Sequence, residues 1–142
     1  MNGPNVKQSV PFFMVTNMDS SLNFYVEKLG FTIKHRWEPA GKVEWCWLQL
    51  GNAAIMLQEY RENPPGEKLG AGVSIYFLCE DALTIYNDII SNGLSASEPF
   101  VGNNMWVVGL TDPNGYNILF ESPTDLPEET KYSDWIKIIK TK

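Results

Sequence analysis

Apolar positions along this chain fall into short blocks whose period changes from one block to the next. Residues 9–15 carry Val10, Pro11, Phe12, Phe13, Met14 and Val15 in an almost continuous run, the pattern of a strand buried on both faces. Leu22, Tyr25, Val26 and Leu29 then recur at helical spacing, with Asp19 or Ser20 as the N-cap and Gly30 as the stop. Phe31, Ile33, His35 and Trp37 alternate, and residues 43–50 and 53–58 read as two strands joined at Gly51-Asn52. The predicted order is βαβββ.

Residues 60–71 hold Pro64, Pro65, Gly66 and Gly70 among mixed charges, show no periodicity and predict a linker. After it the order begins again. Residues 73–79 predict a strand, 81–92 a helix carrying Leu83, Tyr86, Ile89 and Ile90, and 94–99, 106–111 and 116–121 three more strands. A shift of 63 relates the halves, taking Leu22, Val26 and Gly30 to Ile85, Ile89 and Gly93, and Met56 to Leu119. Two copies are too few for a solenoid. The pattern therefore predicts an α+β chain in which two βαβββ modules, residues 9–59 and 72–122, pack within a single domain spanning 1–142. In the tail, 123–142, Trp135, Ile136, Ile138 and Ile139 predict a short helix that docks on its own domain or across a dimer.

The two-residue period of a strand sorts side chains onto faces. Ala54, Met56 and Gln58 share one face, as do Asn117, Leu119 and Glu121, while Ile55, Leu57, Ile118 and Phe120 point the other way, toward the helices. Phe12 and Met14 share a face with Val10, and Trp45 shares one with Trp47. The shift of 63 pairs Trp45 and Trp47 with Val108 and Leu110, and Val43 with Trp106. Phe12, Trp45, Trp47, Met56, Gln58, Trp106, Leu119 and Glu121 are the candidate ligand-binding residues: large apolar walls with a few polar groups suit a small-molecule site, and indole and thioether groups suit a flat or cationic ligand. The same side chains also suit a filled core.

Composition narrows the partners. Aromatic residues make up 13% of the chain, more than a small core demands, which supports a ring-lined pocket. A net charge of -6 opposes a phosphate backbone, so no nucleic acid is expected, and a cationic small molecule is compatible. Cys46 and Cys79 are too few for a disulfide scaffold, no run is long enough to span a membrane, and the first residues lack the apolar stretch of a leader; a cytoplasmic protein is predicted.

The segment Asp19-Ser20-Ser21-Leu22-Asn23-Phe24-Tyr25, followed by Leu29-Gly30-Phe31, and the segment Asp112-Pro113-Asn114-Gly115-Tyr116 resemble the vicinal oxygen chelate superfamily, which holds glyoxalase I, bleomycin resistance proteins, fosfomycin resistance enzymes and extradiol dioxygenases. The resemblance runs from about Ser9 to Ser122 and is closest in character to metal-free members of the bleomycin resistance type. It implies modules whose sheets form a cup with helices outside, and a homodimer. It also implies four metal-ligand positions, which fall here on Val10, on Ser74 or Val73, on Met56 and on Leu119. None is a His or a carboxylate, and the single histidine, His35, lies on a strand where the family places no ligand. Gln58 and Glu121 lie two residues beyond Met56 and Leu119, back on the same face.

The expected function is metal-independent binding of an aromatic or cationic small molecule, with no catalytic residues, no metal and no cofactor. The alternative is a metal-dependent lyase or dioxygenase using Glu121, Gln58 and Ser74 or Glu59 as unorthodox ligands. A regulatory module with a filled cup is a third reading.

Overall fold

The computed structural model describes residues 3–65 and 69–141; Gly66 and its two successors in the linker, and the last residues at each end, lie outside the described residues. Two compact units meet between Pro64 and Pro65, inside the predicted linker. The first contains β1 (Phe12–Val15), α1 (Met18–Leu22) continuing as a π-helical segment (Asn23–Lys28), β2 (Thr32–Trp37), β3 (Trp45–Leu50) and β4 (Ala53–Glu59). The second contains β5 (Ser74–Leu78), α2 (Ala82–Ser91), β6 (Phe100–Gly102), β7 (Met105–Thr111), β8 (Asn117–Pro123) and α3 (Tyr132–Lys140). Each forms a four-stranded mixed sheet, ordered β1-β4-β3-β2 and β5-β8-β7-β6, in which the first strand pairs parallel with the last and the other pairings are antiparallel. This is the α+β arrangement the repeat predicts.

Several boundaries differ from the sequence pattern, each for a local reason. Only one face of the first strand is covered, so Phe13 and Val15 are buried while Phe12, on the other face, stays 49% exposed. The strand expected at 94–99 forms later, at Phe100–Gly102, where Phe100 and Val101 pair with Val107 and Trp106. The N-cap of α1 is Asn17 rather than Asp19 or Ser20: its Oδ1 accepts the Ser20 N–H at 3.0 Å. Beyond Leu22 the helix widens, with the Leu29 N–H donating five residues back to the Phe24 carbonyl. That turn buries the consecutive rings of Phe24 and Tyr25, edge to face at 4.9 Å, against the sheet.

Both modules use one device to join helix to sheet. In the first, Glu59 at the end of β4 accepts the Met18 N–H through Oε2 at 2.7 Å; in the second, Ser122 near the end of β8 accepts the Ala82 N–H through Oγ at 2.8 Å. The first N–H groups of a helix have no partner within it, so a side chain from the last strand both satisfies that donor and sets where the helix begins. Asn17 and Asp81 cap the following N–H groups in parallel fashion. In the first module Lys42 Nζ also donates to Glu59 Oε1 at 2.6 Å. Partial burial pushes the Glu59 carboxyl upward, but the Lys42 hydrogen bond, the Met18 N–H and the Lys42 charge outweigh it and hold the group below the usual carboxylate range.

The faces follow the alternation where the register is as expected. Ile55 and Leu57 are fully buried with Phe13, Val15, Cys46 and Leu48 on the helix side of the first sheet, and Ile118 and Phe120 take the equivalent place in the second. The expected place of Trp106 is overturned. Trp47 pairs with Met56, nine residues on, whereas Leu119 pairs with Gly109, ten residues back. The turn carrying Asp112-Pro113-Asn114-Gly115-Tyr116 thus adds one residue to the second hairpin, and one residue of register moves a whole strand's side chains to the other face. Trp45 and Trp47 correspond to Val107 and Gly109, not to Val108 and Leu110. Trp106 pairs with Ser122, on the face opposite Leu119 and Glu121, and is 5% exposed. Its cover is α3: the Trp135 ring lies 5.6 Å away and the Tyr132 ring 6.3 Å, while Tyr132 also meets Tyr86 of α2 at 5.4 Å. The C-terminal helix therefore docks within its own chain.

The added turn is tightly held. Asp112, buried, accepts the N–H groups of Asn114 and Tyr116 through Oδ1 at 2.8 and 3.0 Å. Gly70 of the linker lies so close to it that a Cβ there would overlap the Tyr116 backbone, which is why that position is a glycine.

Two outcomes are expected. Glu59 has a lower pKa folded than unfolded, so its stabilising contribution is complete above the unfolded value of 4.5 and is lost as the pH falls through the folded value. Denaturant midpoints measured from pH 7 to pH 3 should decline below that point less steeply in Glu59→Gln than in the parent; parallel declines would contradict this role. Trp106→Ala should lower the unfolding free energy by about 3–5 kcal/mol, because it removes the ring on which α3 rests; a change under roughly 1 kcal/mol in equilibrium denaturation would rule out that packing.

Candidate functional site

On the open side of the first sheet, cross-strand partners line up as two rows spanning all four strands. One row is Trp37, Trp45, Gln58 and Met14; the other is His35, Trp47, Met56 and Phe12. Adjacent strands lie about 4.8 Å apart, so each row is a strip roughly 15 Å long. Trp45, Trp47, Met56, Gln58 and Met14 are half-buried, whereas Phe12, His35 and Trp37 are exposed. The structure thus gathers five of the predicted residues, Phe12, Trp45, Trp47, Met56 and Gln58, on one surface.

The surface is held in place by polar contacts at its border. The Trp47 Nε1–H donates to Gln49 Oε1 at 2.9 Å, and Gln49 Nε2 donates to the Gly51 carbonyl at 2.9 Å, which ties the indole to the β3–β4 turn. The His35 ring stands edge-on to Trp47 at 6.2 Å and packs on the surface. Beside β2, the Arg61 guanidinium lies 5.1 Å from the centre of the Trp37 ring and its Nε donates to Glu44 Oε1 at 3.1 Å. Gln49, Trp37, Glu44 and Arg61 were not among the candidate binding residues. Trp37 was recoverable, since β2 alternates and Trp37 is two residues from His35; the pairing of Arg61 with Glu44 comes only from the folded chain.

The open side of the second sheet has another character. Phe100, Val107, Glu121 and Leu78 form one row, Gly109, Leu119 and Tyr76 another, and Thr111, Asn117 and Ser74 a third. Where the first module has Trp47, the second has Gly109, which leaves room beside Leu119. A cavity of about 230 Å³ opens there, lined by Ser74, Ser97, Thr111, Asn117, Gly109 and Leu119 together with Leu110. Its walls offer hydroxyl and amide groups without a formal charge. Glu121 lies two residues farther along β8 on the same face, paired with Val107 and Leu78.

The residues do not fit the divalent metal that the resemblance implies. Ser74, Met56 and Leu119 occupy the expected positions and Val10 precedes β1; among them only the Ser74 hydroxyl is an oxygen donor, and hard or borderline ions call for carboxylate or imidazole. Glu59 cannot join Gln58, because it points to the helix side and is engaged by Met18 and Lys42. Among the described residues no three of His, Cys, Asp and Glu come together as a metal site. No helix of the described residues is long and apolar enough to cross a membrane.

Comparison with known proteins agrees with this architecture. Among solved structures, the bleomycin resistance determinant encoded on the transposon Tn5 is 23% identical and superposes with a TM-score of 0.68 over 85% of this chain and 100% of its own. TioX from Micromonospora sp. ML1 is 16% identical with a TM-score of 0.67, over 83% and 99%. TnmS3, an antibiotic binding protein from Streptomyces sp. CB03234, is 18% identical with a TM-score of 0.63, over 86% and 100%. No curated protein sequence matches the chain significantly. The model of the Glyoxalase/Bleomycin resistance protein/Dioxygenase superfamily matches residues 9–120, and the chain belongs to that superfamily.

Proposed function

We propose that this protein binds a small aromatic or cationic molecule without a metal and sequesters it on the open face of the first sheet. The observation that carries the reading is the pair of cross-strand rows, in which Trp45, Trp47, Met56 and Phe12 offer stacking and adaptable packing and Gln58 offers one placed amide. The net charge of -6 favours a cationic ligand. The similarity to TnmS3, an antibiotic binding protein, and to a bleomycin resistance determinant supports the same kind of role. On the second module, the hydroxyl and amide groups of the cavity beside Leu119, together with Glu121 farther along the strand, offer hydrogen-bonding groups to a more polar ligand. Trp106 has no part in binding in this reading, since α3 covers it. The protein acts as a cytoplasmic homodimer and needs no cofactor.

The metal-dependent alternative would need oxygen or nitrogen donors that Met56 and Leu119 do not have. Elemental analysis after incubation with zinc, nickel, manganese and iron should find no stoichiometric ion; an ion retained by the parent and lost in Glu121→Ala would reverse the assignment to a metal-dependent lyase or dioxygenase.

Planar aromatic compounds, cationic and neutral, titrated against the intrinsic Trp fluorescence should include binders whose affinity falls roughly tenfold in Trp47→Ala or Trp45→Ala, the loss of one stacked indole. Binders indifferent to both substitutions would refute the face named here.

A further inference from the structure

The aromatic face has a cationic group already resting on its border. Arg61 follows β4, and its guanidinium covers the Trp37 ring at 5.1 Å while donating to Glu44 at 3.1 Å. An indole face and a carboxylate side by side are what an organic cation needs: quadrupole attraction from the ring and a carboxylate to accept its charge-assisted hydrogen bond. The two groups are fixed by backbone pairing, since the Glu44 N–H donates to the Trp37 carbonyl at 3.0 Å and the Glu44 carbonyl accepts from Glu59 at 2.9 Å. The guanidinium is the loose member. The Arg61 side chain is 62% exposed against 22% for Glu44, so most of its surface remains in water and little holds it. The neighbouring cations are engaged elsewhere, Lys42 with Glu59 and Arg36 with Glu38.

We propose that Trp37 and Glu44 form a cation subsite that Arg61 fills in the free protein, and that a guanidinium, amidinium or ammonium group of a ligand takes it by displacing Arg61. This rests on the binding role of the face proposed above and specifies its ligand class. Trp37 pairs directly with Trp45, so the subsite is continuous with the stacking surface. The fitting ligand is a planar aromatic molecule whose cationic group lies within one strand spacing, roughly 5 Å, of its ring. Arg61 then acts as a selectivity element: neutral rings bind beside it, and cationic ones compete with it.

Benzamidine and its neutral counterpart benzamide separate these effects when titrated by indole N–H NMR into the parent, Arg61→Ala, Glu44→Gln and the double variant. Removal of Arg61 should tighten benzamidine binding by about two- to fivefold, the scale of one exposed cation–π contact, and leave benzamide within about twofold. Adding Glu44→Gln should abolish the gain. An unchanged benzamidine affinity in Arg61→Ala, or an equal gain for benzamide, overturns the subsite while leaving the stacking face intact. Failure of both compounds to bind any variant overturns the subsite together with the binding role of the face.

Discussion

Everything this protein shows to a ligand depends on the register of two antiparallel hairpins, β3–β4 and β7–β8. In a strand the side-chain period is two, so each register choice assigns every residue either to the helix-packed core or to the open face. Trp47 opposite Met56 puts two indoles in the open; Gly109 opposite Leu119, one residue out of step with a perfect repeat, puts Trp106 in the core. The extra residue sits in a turn that Asp112 holds with two backbone hydrogen bonds, so the slip is built into the local chemistry of the loop.

One consequence is that the modules have diverged in chemistry while keeping a common frame. The frame is the sheet order and the strand-to-helix link, made by Glu59 in one copy and Ser122 in the other. A carboxylate and a hydroxyl do the same job there because a helix N-terminus asks only for an acceptor, with a charge as a bonus. On the open faces nothing enforces sameness. The first copy carries Trp45 and Trp47 on β3, where the second has Val107 and Gly109 on β7, with small polar groups and a cavity beside them.

The same frame removes candidates. Glu59, an acid near the sites of interest in the sequence, is committed to Met18 and Lys42 and lies behind the sheet. The places where the resemblance implies a metal hold, beside the Ser74 hydroxyl, a thioether and alkyl chains, groups that suit packing against a ligand's carbon skeleton. In the proposed role the open face works by recognition, and the Arg61–Trp37–Glu44 contact shows in miniature how such a face holds a cation.

The duplication, the helix ends at Gly30 and Asn92–Gly93 and the faces of β4 and β8 were readable from the chain alone, because each follows from spacing within one segment. Phe12 falls on one side with Met14, and Met56 with Gln58, for that reason; the pairing of β1 with β4 puts all four together. The place of Trp106 was not readable, since a shift of 63 carries no information about a residue gained in a turn. The N-cap at Asn17 was hidden because the first helical N–H, that of Met18, is held by Glu59 from the end of β4, and the late start of β6 because it follows from which residues of β7 Phe100 and Val101 meet. By itself the sequence determined the order of elements and the alternation along each strand, which are properties of the local backbone. Only the tertiary structure decided which strand residues stand opposite one another, where α3 docks and which cation rests on Trp37, for these are contacts between segments whose register local spacing does not contain.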